Sequence, residues 1–303
     1  MKWSITWGIS AAGAIVLALP LLLYSKAQWQ RPPRTNLETA LFKGITYQRK
    51  ISETPWPYIV HVVTIDLMAP GIEVQVSPGL QADQALADGE MADDLAENFE
   101  AIAYKTSEFL LAHELQLAVN ASYFYRFREK TPWDFYPHSG NRVNVLGEAI
   151  ADGKRYSSPQ PQWPALCFAA NNQAQIASDG TCPAGTVQAI AGNQVLMSRG
   201  ELMPVTKNDL PYSRVAVAID AMGERLWLIV VDGKQRHYSH GITLSQLAQI
   251  ATDLGADAAL ICDNHYKILE HVLILIENKH VSIIAKNKHV LLGKTKRARG
   301  KKG

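Results

Sequence analysis

At 303 residues, with 47% hydrophobic and 19% charged side chains, the chain has an ordinary globular composition and room for one large or two small folded domains. Its net charge of +2 hides an asymmetry: residues 278–303 carry seven Lys, two Arg and no acid, which leaves −7 for the remainder. That basic end reads first as a solvated tail, and no specific nucleic-acid partner is expected.

The first element is the apolar run Ile9–Tyr24, which with its uncharged flank reaches the roughly 20 residues that span a bilayer. Residues 1–24 are read as a membrane anchor; Leu23-Tyr24-Ser25-Lys26-Ala27 is a poor cleavage site, which disfavours the competing signal peptide. Residues 25–42 are read as a linker, with Arg31-Pro32-Pro33-Arg34 extended and a short capped helical turn at Asn36-Leu37-Glu38. Lys26, Arg31 and Arg34 after the span favour a cytoplasmic domain by the positive-inside rule, and cysteine usage argues for the opposite side.

From residue 43 to 285 the pattern is that of a folded domain. Ile45–Tyr47, Tyr58–Leu67 and Ile72–Val76 alternate as strands, and Pro70-Gly71 offers a hairpin turn. Residues 83–100 hold seven carboxylates and no Lys or Arg, an exposed segment and not a metal site. A helix over Thr106–His113 is followed by a strand, Leu115–Val119, that stops at Asn120. Thr131–Pro164, rich in Pro, Gly, Asn and aromatics, reads as a long irregular loop. Cys167 and Cys182 flank an alternating segment with an Asn-Asn centre, so a hairpin would bring their sulfurs together; two unlinked thiols are the competing reading. Cys262 reads as a small buried side chain.

The richest stretch is Ser213–Asp263. Apolar runs end abruptly in Asp220, Asp232 and Asp263, as strands do when their last side chain leaves the core. Ala191–Gln194 is a turn, Thr243 caps a helix over Leu244–Leu254, and Gly255 ends it. The fold class is therefore α+β, a curved, largely antiparallel sheet packed by a few helices, with a basic tail over 286–303. Arg214 at a strand start has the planar fork that suits phosphate, and Ser239-His240-Gly241-Ile242-Thr243 places hydroxyls and amides at a helix N-terminus. Taken singly, these residues read as a surface ion pair, a strand-ending turn and an ordinary helix cap.

Their order and spacing resemble the phosphodiester glycosidase family. Asn120-Ala121-Ser122-Tyr123-Phe124 stands for its Asn-Gly-Gly-Phe-Phe, Arg214–Ala218 for Arg-Thr-Ala-Ile-Gly and Asp232-Gly233-Lys234 for Asp-Gly-Arg. Ser239–Ala248 stands for Ser-x-Gly-x-Thr-x-x-Glu-x-Ala. Asp263 falls where the closing Asp-Gly-Gly-Gly-Ser begins, but Asn264-His265-Tyr266-Lys267 replaces the glycines and serine, and side chains there obstruct amides that a ligand would use.

The resemblance implies hydrolysis of a sugar-1-phosphodiester outside the cytoplasm, periplasmic or extracellular, on a phosphorylated glycan or exopolysaccharide. It assigns Asp232 and Asp263 the carboxylate chemistry, and Arg214 with Gly233, Ser239, Gly241 and Thr243 the phosphate. Asn120 is given to a sugar hydroxyl. His240 and His265 lie near enough to move protons but read as ordinary loop residues. The alternative, motivated by the altered residues after Asp263, is a membrane-tethered, non-catalytic binder of phosphorylated polysaccharide. No cofactor is implied: zinc-ligand spacing is missing, and nothing supports a structural calcium.

Overall fold

In the computed structural model, residues 22, 25, 33–80, 99–120, 122–127, 139–205, 209–235, 237–263, 273–276, 282–286 and 289–293 are described. The chain divides after Thr35, and the fold below belongs to the unit Asn36–Gly303. Its main feature is an eight-stranded sheet. In spatial order this runs β1 (Leu37–Phe42), β2 (Ile45–Ser52), β3 (Tyr58–Asp66), β16 (Arg225–Val231), β15 (Arg214–Ile219), β17 (Ala258–Asp263), β13 (Gln194–Ser198) and β14 (Glu201–Leu202). Every neighbouring pair in it is antiparallel.

Both faces of this sheet are covered. On one, Val63, Ile65, Val217, Leu228 and Leu260 meet Leu166, Phe168, Ala174 and Ile190. These come from a five-stranded sheet ordered β11 (Ala174–Ala177), β10 (Ala165–Ala169), β12 (Thr186–Ala191), β8 (Ala149–Ala151) and β9 (Lys154–Ser157). On the other face Val62, Ala216, Ala218, Trp227 and Ile261 pack on Leu244, Leu247, Ala248 and Ala251. Two-sided burial explains why β15 and β16 read as unbroken apolar runs: no alternate position faces water. Each large side chain so buried contributes roughly 1.5–3 kcal/mol.

The helix bearing Leu244 runs over Leu244–Asp253; it is the second described helix, α2, and α1 spans Thr106–Ala112. Two smaller sheets complete the described fold. One orders β4 (Ala101–Ile102), β7 (Arg142–Val145) and β6 (Phe124–Phe127); the other orders β18 (Leu273–Ile276), β5 (Leu117–Asn120), β19 (Ser282–Lys286) and β20 (His289–Gly293). The β19–β5 pair is parallel. The architecture is the mixed, mostly antiparallel α+β arrangement that the pattern predicts.

Several local expectations are corrected. Asn36–Glu38 does not open a helical turn; Leu37–Phe42, within the segment read as linker, is the edge strand of the main sheet. Ile72, Val74 and Val76 point alternately into the core as expected, but they form no hairpin with β3. The reason is topological: β2 and β16 already occupy both edges of β3. Side chains supply the missing ladder, with Gln188 Oε1 accepting from Val76 N at 3.0 Å and Asn172 Nδ2 donating to Ile72 O at 2.7 Å. The described part of the predicted loop Thr131–Pro164 contains β7, β8 and β9, strands too short to show a period, joined at Gly147 and Gly153 with φ of +78° and +75°. Cys167 and Cys182 are disulfide-bonded, with Cα atoms 5.7 Å apart, and Cys262 is buried.

Among the described residues no helix is long and apolar enough to cross a membrane. The predicted anchor over 1–24, apart from Leu22, lies outside them, as do the acidic residues 83–98 and the motif residues Asn264–Lys267.

Candidate active site

Register gathers the motif residues at one end of the main sheet. Arg214 of β15 pairs with Val231, the residue before Asp232, and Val215 pairs with Asp263 at the end of β17. The Asn120 corner joins the same end through Ser122, whose hydroxyl donates to Ala191 O at 3.0 Å and accepts from Ala191 N at 3.1 Å. Two residues further on, Asn193 N donates to Ile261 O at 2.8 Å. A single hydroxyl, in a position where the family pattern has glycine, thus ties the segment after β5 to the end of β12, and the turn that follows β12 reaches β17.

Most of the remaining motif residues build this corner. Ser239 is fully buried; its Oγ donates to Asp232 O at 2.6 Å and accepts from Ile59 N at 3.0 Å. A Cβ on Gly233 would run into Ser213 N, and one on Gly241, whose φ is +102°, into the backbone of Tyr212. Glycine is needed at both because two backbones approach there. Thr243 closes a capping box with Gln246, Oγ1 accepting from Gln246 N at 3.1 Å and Gln246 Oε1 accepting from Thr243 N at 3.0 Å.

The amides of His240, Ile242, Thr243, Leu244 and Ser245, in the segment expected to cradle a phosphate, are engaged within the chain. Asp209, unremarked in the sequence, caps α2 from 35 residues away: its Oδ1 accepts from Leu244 N at 2.6 Å and its Oδ2 from Ser245 N at 2.9 Å. His240 N donates to Pro57 O and Ile242 N to Tyr212 O. A carboxylate already occupies the positive end of the helix, so the N-terminus is a stabilised cap and not a vacant anion site. Ser239, Gly241 and Thr243, expected at a phosphate, are placed in this corner, where the contacts described are within the chain.

Asp232 and Arg214 are neighbours by backbone but not by side chain. Arg214 shares the face of Ala216 and Ala218, toward α2; Asp232 shares the face of Leu228, toward the five-stranded sheet. Arg214, 3% exposed, donates from Nη2 to Leu210 O at 3.0 Å and lies over the Tyr212 ring at 5.3 Å. Asp232, also 3% exposed, turns to His61 instead, Oδ2 standing 3.4 Å from Nε2. His61 Nδ1 is 2.8 Å from Tyr47 Oη. Burial pushes the Tyr47 phenol up to about 12, aided by the charge of Asp232 and partly offset by Arg49.

His61 and Tyr47 carry a signal in the sequence, a lone imidazole inside an apolar strand and a tyrosine at an alternate position on the next. Asp209 carries none, because its partners are remote in the chain. Of the histidines considered earlier, His240 sets its ring edge-on to Trp56 at 5.8 Å, and His265 lies outside the described residues. Asn120 and Asp263 are placed by their backbones at the ends of β5 and β17. Among the described residues no three His, Cys, Asp or Glu side chains form a metal-binding group.

Comparison with solved structures recovers the same α+β fold. A crystal structure of a hypothetical protein from Synechocystis aligns with a TM-score of 0.55 at 15% identity over 82% of this chain, which spans 64% of that protein's length. The catalytic domain of zebrafish N-acetylglucosamine-1-phosphodiester alpha-N-acetylglucosaminidase, auto-inhibited by its pro-peptide, aligns with a TM-score of 0.49 at 18% identity, over 80% of this chain and 89% of that one. No curated protein matches. Residues 113–263, from the end of α1 to the end of β17, match the phosphodiester glycosidase family, and that segment belongs to it.

Proposed function

We propose that this domain hydrolyses a sugar-1-phosphodiester. Water adds its oxygen to the anomeric carbon, the bond from that carbon to the phosphate oxygen breaks, and free sugar and a phosphomonoester result. The observation that carries this reading is that the β15–β16 and β15–β17 registers bring the backbones of Arg214, Asp232 and Asp263 to one end of the main sheet, which the Asn120 corner joins through Ser122. The two aspartates are the candidates for the carboxylates that glycosidic cleavage requires, and Arg214, on the opposite face of the sheet from Asp232, is the candidate for a fixed positive charge at that end of the sheet. Asn120 at the end of β5 is the candidate for a sugar hydroxyl.

The test uses methyl phosphodiesters of hexose-1-phosphates and of N-acetylhexosamine-1-phosphates, with release of free sugar as the readout. The intact protein is expected to release sugar and Asp232→Asn to lose activity by at least about 10²-fold. Full activity in Asp232→Asn would sink the assignment. Ligand binding without release would instead support the non-catalytic reading, which the altered residues Asn264–Lys267 motivate.

We further propose that the domain works outside the cytoplasm, tethered by its N-terminal apolar run. The Cys167–Cys182 disulfide supports an oxidising compartment. Alkylation of thiols in intact cells is expected to leave both cysteines unlabelled until a reductant is added; labelling without reductant would reject this placement.

A further inference from the structure

His61 sits in β3 between Val60 and Val62, on the face that also carries Val63 and Ile65, and is 2% exposed. A buried imidazole is costly unless both nitrogens find partners. Here both do, and the partners differ in kind: Tyr47 Oη at Nδ1, 2.8 Å away, and Asp232 Oδ2 at Nε2, 3.4 Å away. A phenol that keeps its proton can donate, whereas a carboxylate accepts only. If Tyr47 donates to Nδ1, the ring proton must reside on Nε2, aimed at Asp232. Arg49 and Tyr238, both buried, complete the charged and titratable groups around Tyr47.

We infer that His61 is a positioning residue for Asp232, held by Tyr47 in the tautomer that carries its proton on Nε2. The backbone of Asp232 is fixed independently, its N donating to Ile59 O at 3.1 Å and its carbonyl accepting from Ser239 Oγ at 2.6 Å. Side chain and main chain of Asp232 are thus both referred to strand β3, which lies outside the region matched by the family. The role in turnover rests on the proposed function; the tautomer does not.

Two arms separate these. In the first, the full chain is labelled with ¹⁵N on histidine, His61 is assigned by its loss in His61→Gln, and long-range ¹⁵N–¹H correlations are read at pH 8. A proton on Nε2 is expected in the intact protein, and in Tyr47→Phe, where Asp232 still only accepts, the same tautomer with the Nδ1 resonance moved because its hydrogen bond is lost. A proton on Nδ1, or an Nδ1 resonance unmoved in Tyr47→Phe, overturns the inference. In the second, with the methyl sugar-1-phosphodiesters as probe, His61→Gln is expected to lower kcat by about 10²-fold, the cost of a misplaced catalytic group, with KM little changed. Tyr47→Phe, which keeps the imidazole, should lose less. Unchanged kcat in His61→Gln overturns the positioning role. Absence of turnover in the intact protein would count against the proposed function alone, since the tautomer arm still decides the geometry.

Discussion

At the scale of single residues, the corner around Tyr212 depends on the missing side chain of Gly241. Its φ of +102° is a backbone region that L side chains rarely adopt, and a Cβ would meet the carbonyl of Tyr212. Gly241→Ala is therefore expected to cost at least about 1–3 kcal/mol, the range for a residue forced into sparsely populated backbone geometry, with the clash added. A drop in the urea midpoint with unchanged slope would show it. Tyr47 makes a prediction of a different kind. Its phenol, ordinarily at 10.0, is raised to about 12 in the folded chain by burial. The folded state holds the proton more tightly, so the stability Tyr47 contributes is whole below pH 10 and is lost as pH rises from 10 toward 12. Denaturation midpoints between pH 9 and 12 should fall less steeply in Tyr47→Phe. Some loss will persist, since burial also raises Tyr156.

At the scale of elements, α2 is capped twice, by Thr243 from its own sequence and by Asp209 from the segment before β15. Asp209→Ala is expected to cost roughly 0.5–2 kcal/mol, the range for loss of a side-chain cap. The double variant with Thr243→Ala should depart from additivity, because both serve one helix end; simple summation would show that the two caps act independently. The same element shows what the sequence could disclose. Local chemistry sufficed for α2: an N-cap hydroxyl, an apolar face and Gly255 after the last turn. It sufficed for β15, β16 and β17, whose unbroken apolar runs reported burial on both faces. It failed for Ile72–Val76, where alternation gave the buried positions correctly but could not reveal that β3 had no edge to offer. For the motif Ser239–Thr243 it gave the hydroxyls and the glycines but not the crowded backbone corner that they build. The pairing of His61 with Asp232 spans 171 residues, a separation over which no periodicity speaks.

At the scale of the whole molecule, the described fold is a helix layer, an eight-stranded sheet and a five-stranded sheet stacked in that order, and the disulfide fastens the outermost sheet. Cys167 lies in β10, and Cys182 in the segment leading from β11 to β12. Closing a loop with a sequence separation of 15 contributes about 3 kcal/mol in the chain-entropy account. The double substitution of both cysteines by serine is expected to lower the thermal midpoint accordingly, and a reductant should lower that of the intact protein but not of the variant. Equal midpoints for the two proteins under oxidising conditions would deny the bridge a stabilising part.

The end of β17 bears on how such a protein can change over evolutionary time. Leu260, Ile261 and Cys262 are sealed in the interior and Asp263 pairs with Val215, so the last residue before the sequence leaves the family pattern at Asn264 is still held in the main sheet. Up to Asp263, then, a substitution answers to selection on folding whatever selection on catalysis adds.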